Sequence, residues 1–118
     1  MDVKSAIMAF SQSEKVKAAL IFSSHALEAA EGMPEAEKRG AVRTVKTSLD
    51  LVGHEIRLAG SLSPEIPWEK VENRLERAMV MLDSGLGSEA VPLLTETLSR
   101  VTNIGLHSME TLKNRGLI

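Results

Sequence analysis

The chain has 118 residues, of which 43% are hydrophobic and 25% charged, and its formal net charge is −2. This length suits one folded domain over residues 1–118, and the composition is too apolar for a disordered chain. The slightly acidic balance lacks the basic footprint expected of a domain that binds phosphate backbones, which disfavours nucleic acid as a partner.

The first half of the chain predicts two helices. Helix 1 is expected from about Val3 to Ala30, with its continuity in question at Ser11–Glu14, a run that also matches a capping box. Gly32-Met33-Pro34 ends helix 1, and Pro34 opens helix 2, which is expected to end at Gly60. Apolar residues in helix 2 alternate by gaps of three and four, which indicates a helix and excludes a strand. They are Val42, Val45, Leu49, Val52, Ile56 and Ala59.

The second half predicts two more helices. After a loop over residues 61–66, Pro67 is a suitable first residue for helix 3, which places Trp68 and Leu82 on one apolar side. Helix 4 begins at Ser88 and Glu89, with Pro92 in or beside its first turn. Its stripe is Val91, Leu94, Leu98, Val101, Gly105, Ser108 and Leu112. Because short loops make successive helices antiparallel, we expect an all-α, up-down-up-down four-helix bundle built from two αα-hairpins.

Several classes of function find no motif in this sequence. There is no Cys, which excludes disulfides, thiolate metal sites and a cysteine nucleophile. A Gly-rich phosphate loop, a Gly-x-Ser-x-Gly elbow and a dinucleotide fingerprint are also missing. The start of the chain does not match a signal peptide, and no apolar run is long enough to span a bilayer. We therefore expect a cytoplasmic protein that is not an enzyme, has no cofactor and does not bind membranes.

The three histidines do not form a predicted metal site. His25 and His107 begin His-x-x-Glu pairs, whereas di-metal bundle proteins use the reverse order, Glu-x-x-His. In the expected bundle these two histidines lie about 18 Å apart along the axis, at 1.5 Å per residue. His54 points away from the helix 2 stripe. We interpret all three as surface residues on solvated faces.

One stretch around His54 resembles a known functional motif. The segment Leu49–Arg57 is similar to the H-box of sensor histidine kinase dimerisation helices, whose core reads His-Glu-Ile/Leu-Arg. That resemblance implies an outward-facing phosphoacceptor at His54 with Glu55 as its general base. The chain departs from the family after Arg57, where Leu58 replaces the usual Pro, and it contains no ATP-binding module. Phosphotransfer through His54 is thus an alternative function without autonomous kinase activity.

Two other patterns are shorter. Ser24–Ala30 is similar to the His-x-Leu-Lys-Gly motif of histidine phosphotransfer domains, but Glu28 stands in place of the Lys and Ala29 in place of the Gly. Arg100 and His107 resemble the Arg-x6-His pair of HEPN-type ribonucleases, and they share one helix face because seven residues make two turns. This second resemblance implies an RNA-associated protein as a further alternative.

Apolar residues outside the core stripes favour a partner surface. Leu51 and Leu58 lie roughly 130° to 150° from the centre of the helix 2 stripe, and Ile21 and Phe22 fall off the apolar face of helix 1. A pair of leucines seven residues apart on one helix, with apolar residues on its neighbour, is typical of a contact surface. The preferred hypothesis is a homo-oligomer, such as a dimer, or a module that binds another protein through these four residues.

Overall fold

The computed structural model describes residues 1–118 and contains four α-helices, namely α1 (Val3–Glu31), α2 (Glu35–Leu62), α3 (Trp68–Asp83) and α4 (Gly87–Asn114). Helix α1 packs against α2 and α4, and α3 packs against the same two helices from the other side. This cyclic order of antiparallel neighbours confirms the predicted up-down-up-down bundle. None of the four helices combines the length and apolar character that crossing a bilayer requires.

Helix α1 is continuous through Ser11–Glu14, so the interpretation of that run as a capping box is wrong. Ser13 is buried and its hydroxyl donates to the carbonyl of Phe10 at 2.9 Å, which satisfies a polar side chain inside the helix. The N-cap of the helix is Asp2, whose Oδ1 accepts a hydrogen bond from the Ser5 backbone N–H at 2.8 Å. This bond to the charged form lowers the pKa of Asp2 below its usual value.

Two helix boundaries differ from the sequence prediction. Helix α2 continues past Gly60 to Leu62, which adds one more large apolar side chain to the helix. Helix α4 begins at Gly87, so Pro92 lies in its second turn rather than in or beside the first. Proline has no backbone N–H, so the carbonyl four residues before Pro92 lacks its helical hydrogen bond. Pro92 is tolerated because this part of the helix is exposed and water can bond that carbonyl.

The core is aliphatic around one tryptophan. The predicted α2 stripe is buried except at Val42, which is half-buried. In α4 the predicted stripe is buried except at Val91 and Leu98, which are half-buried. This helix also buries Ala90, Thr97 and Ile104, which the pattern missed, because it packs between α1 and α3 and buries a broad face. The fully buried large side chains come from all four helices and include Leu20, Leu27, Leu49, Ile56, Trp68, Val71, Leu94 and Val101.

Helices α1 and α4 approach closely at Gly105. The Ser13 Oγ lies 2.8 Å from the position that a β-carbon at Gly105 would occupy, so only a glycine fits without movement. Ser108, one turn further along α4, is also buried and bonds back to the Gly105 carbonyl at 2.7 Å. Small residues therefore allow α4 to pack closely against one side of α1. The outer surface between α1 and α2 is not covered by another helix.

Candidate functional site

The outer surface between α1 and α2 carries two facing stripes of side chains, which we call the α1–α2 face. In each stripe the residues are separated alternately by four and three positions, so they follow one side of a helix. The α1 stripe is Met8, Gln12, Lys15, Ala19 and Phe22, and the α2 stripe is Leu51, Glu55, Leu58 and Leu62. Two shallow grooves of about 50 Å³ and 170 Å³ run between the stripes.

Large apolar side chains on this face are open to solvent. The exposed fractions are 68% for Phe22, 63% for Leu51, 53% for Leu58 and 56% for Leu62. Three of these residues were singled out from the sequence, whereas Leu62 was missed because helix 2 was expected to end before it. Met8 was also missed, because only the packing of α1 against α2 places it opposite Leu58 and Leu62.

Polar side chains occupy the centre of the α1–α2 face. The Nε2 of Gln12 donates to both the backbone carbonyl and Oε2 of Glu55, each at 2.8 Å, and the Lys15 Nζ lies 3.1 Å from the same carboxylate oxygen. The hydrogen bond from Gln12 and then that from Lys15 lower the pKa of Glu55, because both stabilise its charged form. One opposite-charge pair thus stands midway between Met8 and Phe22.

Ile21 does not belong to this face. At 100° per residue, Phe22 lies about 20° from Lys15 around α1, whereas Ile21 lies about 120° from it and toward α4. Ser13 marks that other side, since it touches Gly105 of α4. Ile21 and Phe22 are both exposed, but helical spacing places only Phe22 on the side of α1 that carries Lys15.

His54 is exposed on α2 but lines a different groove. That groove, of about 610 Å³, lies between α2 and α3, and Glu72 and Glu76 contribute to it from α3. Glu55, the general base that the H-box resemblance implies, is instead tied to Gln12 on the α1 side. A carboxylate with a lowered pKa and a bound amide is a weaker proton acceptor for its neighbour.

The remaining candidates are isolated on the surface. His107 is exposed, and its Nδ1 lies 3.7 Å from Glu110 Oε2 one turn away, which is a solvated contact within one helix. Neither His107 nor Arg100 lines any of the grooves described above. His25 is also exposed. No three His, Asp or Glu side chains are grouped so that they could hold a metal ion.

Basic residues along α2 are mostly paired with acids. Lys38 lies 3.0 Å from Glu31, and Lys46 forms an ion pair with Asp83 across a groove of about 310 Å³. Hydrogen bonding to Glu31 raises the pKa of Lys38. A mixed-charge groove of this kind is typical of a solvated surface and offers no uniform field for an anionic ligand.

On the α1–α2 face, the exposed side chains of Leu51, Leu58 and Leu62 line grooves that α1 and α2 form together. No protein family, curated protein or solved structure matches this chain.

Proposed function

We propose that this protein is a non-catalytic assembly module that self-associates through the α1–α2 face. The observation that carries the proposal is the alignment of four large apolar side chains on that face, each more than half exposed, namely Phe22, Leu51, Leu58 and Leu62. Single exposed leucines are ordinary on protein surfaces, but an aligned set on two adjacent helices is the pattern of a contact surface.

The size of the face indicates how strong the association can be. From Met8 to Phe22 the α1 stripe covers about 20 Å at 1.5 Å per residue, and two adjacent helices are about 20 Å wide. The resulting patch of about 400 Å² includes the polar centre of the face and is about half of what each partner buries in a stable interface, so we expect weak association. Burial of these side chains between two molecules would remove that patch from water.

The charges of the face favour a second copy of this chain as the partner. The only ionic groups in the two stripes are Lys15 and Glu55, so the face is neutral overall and complementary to itself. A strongly acidic or basic partner would find no matching field here. Most oligomers of soluble proteins are symmetric and use one patch on both subunits, which a self-complementary face permits.

Catalytic alternatives have less support. Phosphotransfer through His54 needs a base beside the imidazole, and Glu55 is bound to Gln12 and Lys15 on the other side of α2. Cleavage of RNA by Arg100 and His107 needs a cleft that holds the substrate, and these side chains line none of the described grooves. We therefore propose neither activity.

The test is the molar mass in solution over a range of concentrations, for the wild type and for Leu58→Glu. We expect the wild type to self-associate. Burying a side chain that is half exposed contributes about 1–2 kcal/mol, and a symmetric dimer contains it twice, so Leu58→Glu should weaken dimerisation by about 30-fold or more. Adding Leu51→Glu should leave only monomer.

A matched control is Leu106→Glu, since Leu106 on α4 is 55% exposed, close to the 53% of Leu58, but lies off the α1–α2 face. This variant should associate as the wild type does. A wild type that stays monomeric at high concentration, or a loss of association in Leu106→Glu equal to that in Leu58→Glu, would contradict the proposed function.

A further inference from the structure

We infer that two copies pair about a two-fold axis parallel to the helices, so that α1 of each copy lies on α2 of the other. This inference rests on the proposed function and specifies the geometry of that same face. When one patch serves both copies, the two-fold axis lies in the plane of the contact. The stripes stay in contact along most of their length only if that axis runs close to the helix direction or nearly perpendicular to it. A strongly oblique axis makes the helices of the two copies cross at a large angle, which leaves the ends of the stripes unpaired.

The register of the stripes is known from contacts within one copy. Met8 and Leu62 line one groove, Lys15 meets Glu55 at 3.1 Å, and Ala19 and Leu51 line the next groove. Lys15 is the midpoint, seven residues or about 10 Å from Met8 on one side and from Phe22 on the other. An axis through the centre of the face therefore passes through the layer that contains the charged pair.

Charge separates the two arrangements. With the axis across the helices, Lys15 faces Lys15 of the second copy and Glu55 faces Glu55, so like charges meet in a contact from which water is excluded. With the axis along the helices, each Lys15 faces Glu55 of the second copy, and the ion pair of each monomer becomes part of a network of four alternating charges. Like charges at close range repel and opposite charges attract, increasingly so as water leaves the contact.

Shape favours the same arrangement. Leu51 projects from α2 beside the small Ala19 of α1, which leaves a hollow next to a protrusion. Rotation about an axis along the helices places Leu51 of each copy over Ala19 of the other, so that a large side chain enters the hollow beside a small one. Interlocking of this kind is how helices pack in bundles.

The absence of Cys from the chain allows a direct test with single-cysteine variants, because no other thiol competes. We expect a mixture of Met8→Cys and Leu62→Cys chains to form a mixed disulfide on mild oxidation, since these positions face each other across the contact. A mixture of Met8→Cys and Phe22→Cys chains should form about tenfold less, a ratio that corresponds to 1.4 kcal/mol. Each chain carries one thiol, so a bond within one chain cannot form.

The outcomes distinguish the orientation from the function itself. A preferred bond between Met8→Cys and Phe22→Cys would overturn the orientation and place the axis across the helices, while the face remained the contact. If the wild type self-associates but neither mixture forms a disulfide, the orientation is wrong. A monomeric wild type with no cross-link in either mixture would instead overturn the proposed function.

Discussion

Gly105→Ala is a sensitive test of the close contact between α1 and α4. In a helix interior, alanine is favoured over glycine by about 1 kcal/mol. At this site the new β-carbon would lie 2.8 Å from the Ser13 Oγ and 3.5 Å from its Cβ. Overpacking in a well-packed interior costs about 1–3 kcal/mol. We therefore expect Gly105→Ala to be neutral or to destabilise the protein by up to about 2 kcal/mol.

The clash depends on one oxygen atom, so removing it should reverse the effect. In a Ser13→Ala background, the nearest remaining side-chain atom is the β-carbon at an ordinary contact distance. Gly105→Ala should then stabilise the protein by about 1 kcal/mol, which gives a coupling energy of about 1–3 kcal/mol between the two sites.

The free energy of unfolding from chemical denaturation of the four proteins in this double-mutant cycle provides the assay. Gly40→Ala is a matched control, because Gly40 is within α2 and has no atom within 4 Å of a new β-carbon. It should stabilise by about 1 kcal/mol. If Gly105→Ala stabilises the wild type as much as Gly40→Ala does, or if the cycle is additive, the close approach at Gly105 is refuted.

Two further predictions concern stability. Trp68→Ala should lower the free energy of unfolding by about 3–5 kcal/mol, because removal of a buried aromatic side chain leaves a large cavity. Unfolding followed by circular dichroism tests this. As a control, Val80→Ala should change the free energy of unfolding by no more than about 0.5 kcal/mol, because Val80 is exposed. The pKa of Glu55 is below the usual 4.5 in the folded protein, so its contribution to stability is present above the unfolded pKa and is lost as the pH falls through the folded pKa. Gln12→Met should flatten that part of the stability profile, and an unchanged acid slope would contradict the role given to the Gln12 hydrogen bond.

Local features of the sequence were sufficient to predict the helices. The alternating gaps in α2 place Val45 and Leu49 in the core, and Gly and Pro residues mark the turns, because periodicity and turn preference depend on a few adjacent residues. The ends of the helices were predicted less accurately, because local patterns do not include contacts with the rest of the bundle. The extension of α2 to Leu62 and the earlier start of α4 at Gly87 depend on what packs around those ends.

The candidate surface was only partly predictable. The pattern singled out Leu51, Leu58 and Phe22 as apolar residues outside the core stripes, and all three are exposed. It also grouped Ile21 with them, and the structure separates it because neighbouring residues on a helix point about 100° apart. The rotation of α1 about its own axis decides which of its side chains face α2 and which face α4, and the sequence does not give that rotation.

By itself, then, the sequence determined that the chain forms four antiparallel helices with an aliphatic core, since each helix repeats its own pattern over several turns. Only the tertiary structure decided which outer side chains meet. Glu55 is paired with Gln12 and Lys15, and Gly105 is pressed against Ser13, between residues far apart in the chain. Such contacts follow from how each helix is rotated and how closely it approaches its neighbours, and the spacing of residues within one helix contains no record of either.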